Sequence, residues 1–331
     1  MRPAEVDRIL DHARRAPSVH NTQPWAWRVG DDRVDLFADY SRQLVHADPE
    51  RRDMMISCGA ALHHFQVAAR ALGWDTRVRR CPSAVDDRLV ASIRLAPASP
   101  PEDATAVLDA LNRRRTDRRR LTSWPVPHGR LRAMAAAGEE WGAHVIPLQD
   151  GPLKSRLLAL TLRADELQLR SPDYVSELNA WTTYWSDQGV PVGHIPRNDR
   201  LTTSDVLTRR FHHGVLDDTP LEDDPPADGL MLVCTSSDDQ LSRLRAGEAL
   251  SSVWLRATQD GLAVVPSSQA VEVSETRRVL QEEVLRDTSV AQILLRVGWP
   301  PQERTPLPAT PRRFVEDIRS FGRPSPTDPA Q

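Results

Sequence analysis

Four stretches of this 331-residue chain gather residue types that can bind an anion or a polar cofactor. The first is "PSVHNTQPW", with Pro17, Ser18, Val19, His20 and Asn21 leading into Gln23, Pro24 and Trp25. The second is "NRRRTDRRRL", with six arginines between Arg113 and Arg120. The third is "GLAVVPSSQ", which ends in Pro266, Ser267, Ser268 and Gln269. The fourth is "TPRRF", with Arg312 and Arg313. Guanidinium forks match phosphate oxygens two at a time, so arginine clusters suggest an anion. Each stretch also has a plain reading: a polar turn, a solvated helix end, a strand end and a surface pair. A nucleic-acid patch is disfavoured, because Asp117 interrupts the basic run and no aromatic residue is interleaved to stack on a base. No catalytic triad or metal-binding spacing is present. The adjacent pairs His63–His64 and His212–His213 cannot share one metal in ordinary geometry and read as structural.

The elements that would position these residues follow from periodicity. Val6, Ile9, Leu10 and Ala13 space a helix over 4–15. "WAWRVG" and "RVDLFAD" flank "DD" as a hairpin. Residues 52–72 form a long helix closed by Gly73, and "RLVASIRLA" alternates as a strand. "PASPPEDA" is a proline-rich break that divides the chain into 1–100 and 101–331. Beyond it come a helix through "DATAVLDALNRRR", another after "WPVPHG", the strand "GAHVIPL" and a helix over 152–170. The strand "DGLMLVCT", a long helix ending near Gly261 and the strand "AQILLRVGW" complete the order. Helices and strands mix in an α+β manner rather than in strict alternation.

The two long helices align at an offset of 188 residues. Gly59 then meets Gly247, Ala61 meets Ala249, Leu62 meets Leu250, Ala69 meets Ala257, and Gly73 meets Gly261. Small residues in register imply close packing, and the shared final glycine implies the same cap. A divergent internal duplication is the favoured reading, against chance alignment of two alanine-rich helices.

Composition bounds the rest. Hydrophobic residues are 40% and charged residues 27%, as in a soluble globular protein, and the net charge of −3 points to no nucleic-acid or membrane partner. Three cysteines without a framework suit a reducing, cytoplasmic setting. The N-terminus has no apolar signal region, no stretch is apolar enough to span a membrane, and the tail "GRPSPTDPAQ" reads as frayed.

Taken together, the four stretches resemble the nitroreductase family of FMN-dependent flavoproteins. "PSVHNTQPW" resembles the family's Pro-Ser-x-x-Asn-x-Gln-Pro-Trp loop, and "RRTDR" (114–118) its Arg-Arg-Ser-x-Arg motif with Thr116 for serine. "GLAVVPS", "PRRF" and "LLRVGWPP" match other segments more loosely. The order is inverted from that of an ordinary member, and each half lacks the other's motif. That resembles the Acg-like branch, in which one chain mimics the family's homodimer.

The resemblance implies a nitroreductase-like α+β fold and one FMN per chain. It implies phosphate binding by Arg114, Arg312 and Arg313 with the Thr116 hydroxyl nearby, and Arg118 at the flavin N1/O2 edge. Pro17, Ser18, Val19 and Asn21 would meet the ribityl or pyrimidine edge, and Pro266, Ser267 and Ser268 would face flavin N5. The implied reaction passes hydride from NAD(P)H through N5 to a nitroaromatic or quinone, with no catalytic side chain and no metal. The alternative is a flavin store or redox sensor without turnover. The segment 179–214, with Trp181, Tyr184 and Trp185, is an insertion that would act as a lid, as a dimer contact or as a plain surface helix pair.

Overall fold

The computed structural model describes residues 2–183, 188–197, 209–211, 213–218, 229–301 and 305–321. Its first part runs α1 (Pro3–Ala13), β1 (Trp25–Val29), β2 (Val34–Ala38), α2 (Arg52–Ala71), β3 (Trp74–Arg80), β4 (Leu89–Pro97) and α3 (Ala104–Arg113). There follow α4 (His128–Glu139), β5 (His144–Leu148), α5 (Pro152–Leu169), α6 (Pro172–Ala180), β6 (Thr182–Thr183) and β7 (Val190–Pro191). The last part holds β8 (Gly229–Thr235), α7 (Gln240–Gln259), β9 (Ala263–Ser267), α8 (Gln269–Glu272), α9 (Ser274–Val279), β10 (Val290–Gly298), α10 (Val315–Ile318) and β11 (Arg319–Phe321). The mixture is α+β, as the periodicity implies.

Two sheets organise the chain. The first has the order β11-β1-β2-β4-β3, with β11 parallel to β1 and the other pairs antiparallel. The second has the order β5-β8-β10-β9 and is antiparallel throughout. Alternation in "WAWRV" turns Trp25 and Trp27 into the first core, where Trp27 stacks on Phe65 at 5.0 Å between ring centroids. That core also takes in α1 and α2, Ala110 and Leu111 of α3, and Ile318 from the end of the chain. Strand β3, with three arginines, alternates half-buried with exposed positions and forms a sheet edge. Pro266 is accommodated in β9 because that strand is also an edge.

The long helices α2 and α7 cross between the two cores, and both are closed by glycines in the left-handed region, Gly73 (φ +88°) and Gly261 (φ +78°). A Cβ on Gly59 would lie 2.0 Å from the Leu244 carbonyl oxygen, and one on Gly247 would lie 1.9 Å from the Ile56 carbonyl oxygen. The two glycines that align at the 188-residue offset therefore face each other at the crossing. Four residues further along each helix, the Ser251 hydroxyl lies 2.8 Å from Nδ1 of both His63 and His64. One hydroxyl proton cannot serve both acceptors, so at least one imidazole carries its own proton on Nδ1. Both rings are buried, which pushes their pKa values down, to about 3 for His63.

Helix ends are secured locally. The Asp48 carboxylate accepts from the Arg52 (2.6 Å) and Met54 (2.8 Å) backbone N–H groups at the start of α2, and Asp239 caps α7 through the Ser242 N–H at 2.7 Å. The tail 322–331, Tyr184, Trp185 and His212 lie outside the described residues.

The crossing yields a prediction. Gly59→Ala or Gly247→Ala forces backbone apart and lowers unfolding free energy by about 1–3 kcal/mol or more. Gly129→Ala, where a Cβ would meet nothing within 4 Å, leaves stability unchanged or raises it by up to about 1 kcal/mol. Thermal or urea unfolding of the three variants checks the contrast.

Candidate functional site

A cavity of about 910 Å³ opens beside the helix crossing. Its walls come from the 17–21 loop, from α2 and α7, from the stretch after α3, from the end of β9 and from the segment before α10. Nine residues picked out by the sequence line it: Pro17, Ser18, Val19, Asn21, Thr116, Arg118, Pro266, Ser268 and Arg312. They derive from four separate stretches, spread over most of the chain.

The 17–21 loop is held in an uncommon backbone conformation. His20, Asn21 and Gln23 have φ of 45°, 54° and 50°, in the left-handed region where residues other than glycine are sparse. Neighbours fix it there. The Ser18 hydroxyl accepts from the Gln23 N–H at 2.9 Å, and the Val19 N–H donates to the Ser57 hydroxyl of α2 at 3.2 Å. Asn21 Nδ2 donates to the carbonyls of Gly189 (2.9 Å) and Pro311 (3.0 Å). Asn21 thus ties the loop to the 188–197 and 305–321 segments, and its buried Oδ1 has no partner among the described residues.

The basic run does not act as one patch. Arg113 pairs with Asp109 at the surface, Arg119 pairs with Asp117, and Arg115 donates to the carbonyls of Asn112 and Leu307. Arg114 turns inward beneath α7, its guanidinium carbon 4.6 Å from the centre of the Trp254 ring, which itself lines the cavity. Nη2 donates to the Arg15 carbonyl at 2.8 Å, while Nε and Nη1 have no partner among the described residues. Arg312 donates to carbonyls through both Nη atoms and leaves Nε unpartnered. Burial disfavours both charges, followed by repulsion from Arg14, Arg15 and Arg115 at Arg312, which is pushed down to about 9, and from Arg312 and Arg115 at Arg114, which falls well below the usual arginine range. Unpaired buried guanidinium groups cost several kcal/mol, and an anion between them offsets that cost.

Arg118 lies over the Phe211 ring at 5.2 Å on the cavity wall. Burial and the nearby Arg209 lower it to about 10. Thr116 pairs with Val264 of β9 in an isolated parallel bridge, which brings the arginine stretch beside Pro266. The Ser268 hydroxyl lines the cavity and donates to Glu272 at 2.5 Å.

Three sequence-selected residues sit elsewhere. Arg114 stands behind Trp254 rather than on the lining. The Ser267 side chain turns away to Gln269 Oε1 at 2.9 Å. Arg313 is absorbed by the turn that follows the loop. Its backbone N–H donates to Gln23 Oε1 at 2.9 Å, and its guanidinium reaches Asp39 at 3.6 Å and the Gln23 carbonyl at 3.4 Å. It holds the loop and does not reach the cavity.

Other lining residues carried no signal in the sequence. Asp53, Ile56 and Ser57 come from the first turns of α2, Leu250 and Trp254 from α7, and Val190, Arg209 and Phe211 from the 179–214 insertion. Arg209 forms a buried ion pair with Glu272 and donates to the Tyr174 hydroxyl. Burial works against the Glu272 charge, yet Arg209 overrides it and holds that carboxyl at about 2. Burial, then Glu272 and Asp48, hold the Asp53 proton far above the usual carboxylate range. His20 was legible as part of the loop but not as a wall residue. Neither of its ring nitrogens has a partner among the described residues, and burial, then Arg209, lower it to about 3.

Among the described residues no group of three His, Cys, Asp or Glu could hold a metal, and no helix is long and apolar enough to cross a membrane. The 184–187 and 198–208 parts of the insertion lie outside the described residues.

No protein-family model matches the chain. A curated relative named "Putative NAD(P)H nitroreductase Rv3131", from Mycobacterium tuberculosis (strain ATCC 25618 / H37Rv), is 39% identical over 316 residues, 95% of this chain and 90% of the relative. The chain belongs to the nitroreductase family. A second relative from the same strain, "Putative NAD(P)H nitroreductase acg", is 32% identical over 314 residues, covering 92% of each chain. Among solved structures, a nitroreductase with bound FMN from Bacteroides fragilis NCTC 9343 is 15% identical over 60% of this chain and 90% of its own, with a TM-score of 0.38.

The buried imidazole of His20 makes this site acid-sensitive. A histidine lowered to about 3 in the folded chain contributes stability that is present above its unfolded value near 6.5 and is lost as pH falls toward 3. Asparagine tolerates the left-handed backbone at this position and has no such titration. His20→Asn therefore gains on the wild type by up to about 1.4 kcal/mol per pH unit between 6.5 and 3. Paired unfolding curves across that range check it.

Proposed function

We propose that the cavity binds one FMN per chain and that the protein uses it in NAD(P)H-dependent two-electron reduction of a nitroaromatic or quinone. The observation that carries this reading is the buried Arg312 guanidinium on the cavity lining, with an unused N–H donor and no acidic partner among the described residues, backed by Arg114 behind Trp254 with two more unused donors. Those donors fit a phosphate. The rest of the cavity suits the remainder of the cofactor: polar loop atoms at Ser18 and Asn21, and apolar surfaces of Val19, Ile56, Leu250 and Val265 for a flat ring.

The residues have separable tasks in this reading. Arg312 holds the phosphate, with Thr116 also on the lining and Arg114 adding positive charge from behind Trp254, and the 17–21 loop orients the ribityl chain. Arg118 supplies positive charge at the ring's pyrimidine edge, and the Pro266–Ser268 turn borders the reactive face. When bound, FMN supplies the hydride-transfer chemistry. The family's dimer-like pairing of two halves within one chain, meeting at Gly59 and Gly247, belongs to the same proposal, as does a soluble cytoplasmic setting.

A second reading, flavin storage or sensing without turnover, is favoured by one observation. Val190, Arg209 and Phe211 of the insertion form part of the cavity wall, and Arg209 is fastened by Glu272 and Tyr174. A covering fixed by a buried ion pair would restrict access for nicotinamide. The two readings differ in whether bound flavin accepts hydride.

Binding tests the assignment of the phosphate end. Arg114→Ala combined with Arg312→Ala weakens FMN binding by at least about 10-fold, the loss of one charge-assisted contact and of a second nearby charge. Riboflavin, which has no phosphate, loses far less. Equal losses for both ligands, or unchanged FMN affinity, would contradict the assignment. Fluorescence titration of flavin-free protein with each ligand is the measurement.

A further inference from the structure

Asp53 lies on the walls of two cavities at once. One is the large cavity described above. The other is a smaller one of about 230 Å³, which Asp53 shares with Asp48, Glu50, Arg52, Glu272 and Arg277. The smaller cavity reaches the surface beside Pro49 and Glu50, which are exposed. Asp53 itself is buried, and its Oδ2 has no hydrogen-bond partner among the described residues. We propose that Asp53 is the proton-delivering residue of the site, taking protons from solvent through the smaller cavity and passing them to the bound acceptor in the larger one.

The surroundings give this carboxyl a proton to deliver. Glu272 faces it from α8 and is kept ionised by Arg209. Asp48 adds a second negative charge from the turn before α2, and Arg209 opposes these with a positive charge already matched by Glu272. Burial adds to the two carboxylates in favouring the neutral acid. The large cavity is also lined by His20, kept neutral by burial and then by Arg209, and by Arg118, which cannot give up a proton. Along the smaller cavity, Arg52 is engaged by Asp238, and Arg277 by Glu50 at 2.5 Å. Asp53 thus has both a proton, held in a hydrogen bond to Glu272, and a place on the large cavity's lining.

The chemistry requires such a group, and the inference rests on the reductase reading of the cavity. Reduction of a nitro group to a nitroso group takes one hydride and one proton and releases water. Reduction of a quinone takes one hydride and one proton and gives the hydroquinone. The hydride originates in NAD(P)H, which becomes NAD(P)⁺. The proton leaves the Asp53 carboxyl for the acceptor oxygen, and the resulting carboxylate regains one from solvent on the Glu50 side. Positioned acids of this kind accelerate proton transfer by about 10²–10⁴-fold.

The test uses Asp53→Asn, with Asp53→Glu as the variant that keeps a carboxyl. Flavin-free wild-type protein should show the infrared carbonyl band of a protonated carboxyl group at pH 7, and Asp53→Asn should lack it. Thermal stability gives a second reading without flavin. A carboxyl with a raised folded pKa costs stability as pH rises above its unfolded value of 3.8, so Asp53→Asn gains on the wild type as pH rises from about 4. In flavin-loaded protein reduced with dithionite, oxidation by 1,4-benzoquinone slows by at least about 100-fold in Asp53→Asn, loses its pH dependence, and recovers in part in Asp53→Glu. Dithionite separates this test from the NAD(P)H question, so failure of the nicotinamide step leaves the result readable. No carboxyl band assignable to Asp53, or oxidation at the wild-type rate with the wild-type pH profile, overturns the proposal.

Discussion

Everything at the site depends on how closely α2 and α7 approach. Two glycines at the crossing let one backbone rest on the other, with Gly59 against Leu244 and Gly247 against Ile56. Any side chain there would push the helices apart. Because both helices line the cavity, through Asp53, Ile56 and Ser57 on one and Leu250 and Trp254 on the other, their separation sets its width. The same contact draws in the loops. Ser57 of α2 fixes the Val19 N–H, and Trp254 of α7 supports Arg114. A packing constraint between two backbones is thereby converted into the placement of polar groups far apart in the chain.

The cavity is bordered by buried charge of both signs. Arg312 on its lining and Arg114 behind Trp254 are buried without carboxylate partners among the described residues, and Arg312 disfavours the Arg114 charge. Asp53, also on the lining, is packed with Glu272 and Asp48, and Arg209 matches one of the three. Neither arrangement is stabilising by itself, since buried charge without full pairing is costly. Such clusters are commonly retained where they serve a ligand or a proton transfer. Arg312 is suited to a phosphate and Asp53 to a neutral carboxylic acid, so the proposed cofactor and the proposed proton source share one space.

Much of this was legible in the sequence because local rules govern it. Alternation in "WAWRV" gives a strand, glycines 73 and 261 close the long helices, and the 188-residue offset picks out the two residues that meet at the crossing. The loop residues Pro17 to Asn21 announce themselves by type and spacing. Arg313 shows where such reasoning stops: its neighbour Arg312 reaches the cavity, while one step along an extended segment sends Arg313 to Gln23 and Asp39. Ser267 and Ser268 divide in the same way. Strand β3 escaped because its alternation is between half-buried and exposed positions, with arginines on an edge. Asp53, Arg209 and Glu272 were invisible for a different reason. A carboxylate in the first turn of a helix is ordinary, and only the tertiary fold brings it to residues more than 150 positions away.

The central claim is that this cavity holds a flavin able to take hydride from a nicotinamide. Anaerobic mixing of the FMN-loaded protein with NADPH, and separately with NADH, tests it without any choice of acceptor. The account predicts that at least one of them bleaches the visible absorbance of the oxidised flavin. Persistence of that absorbance with both would contradict it.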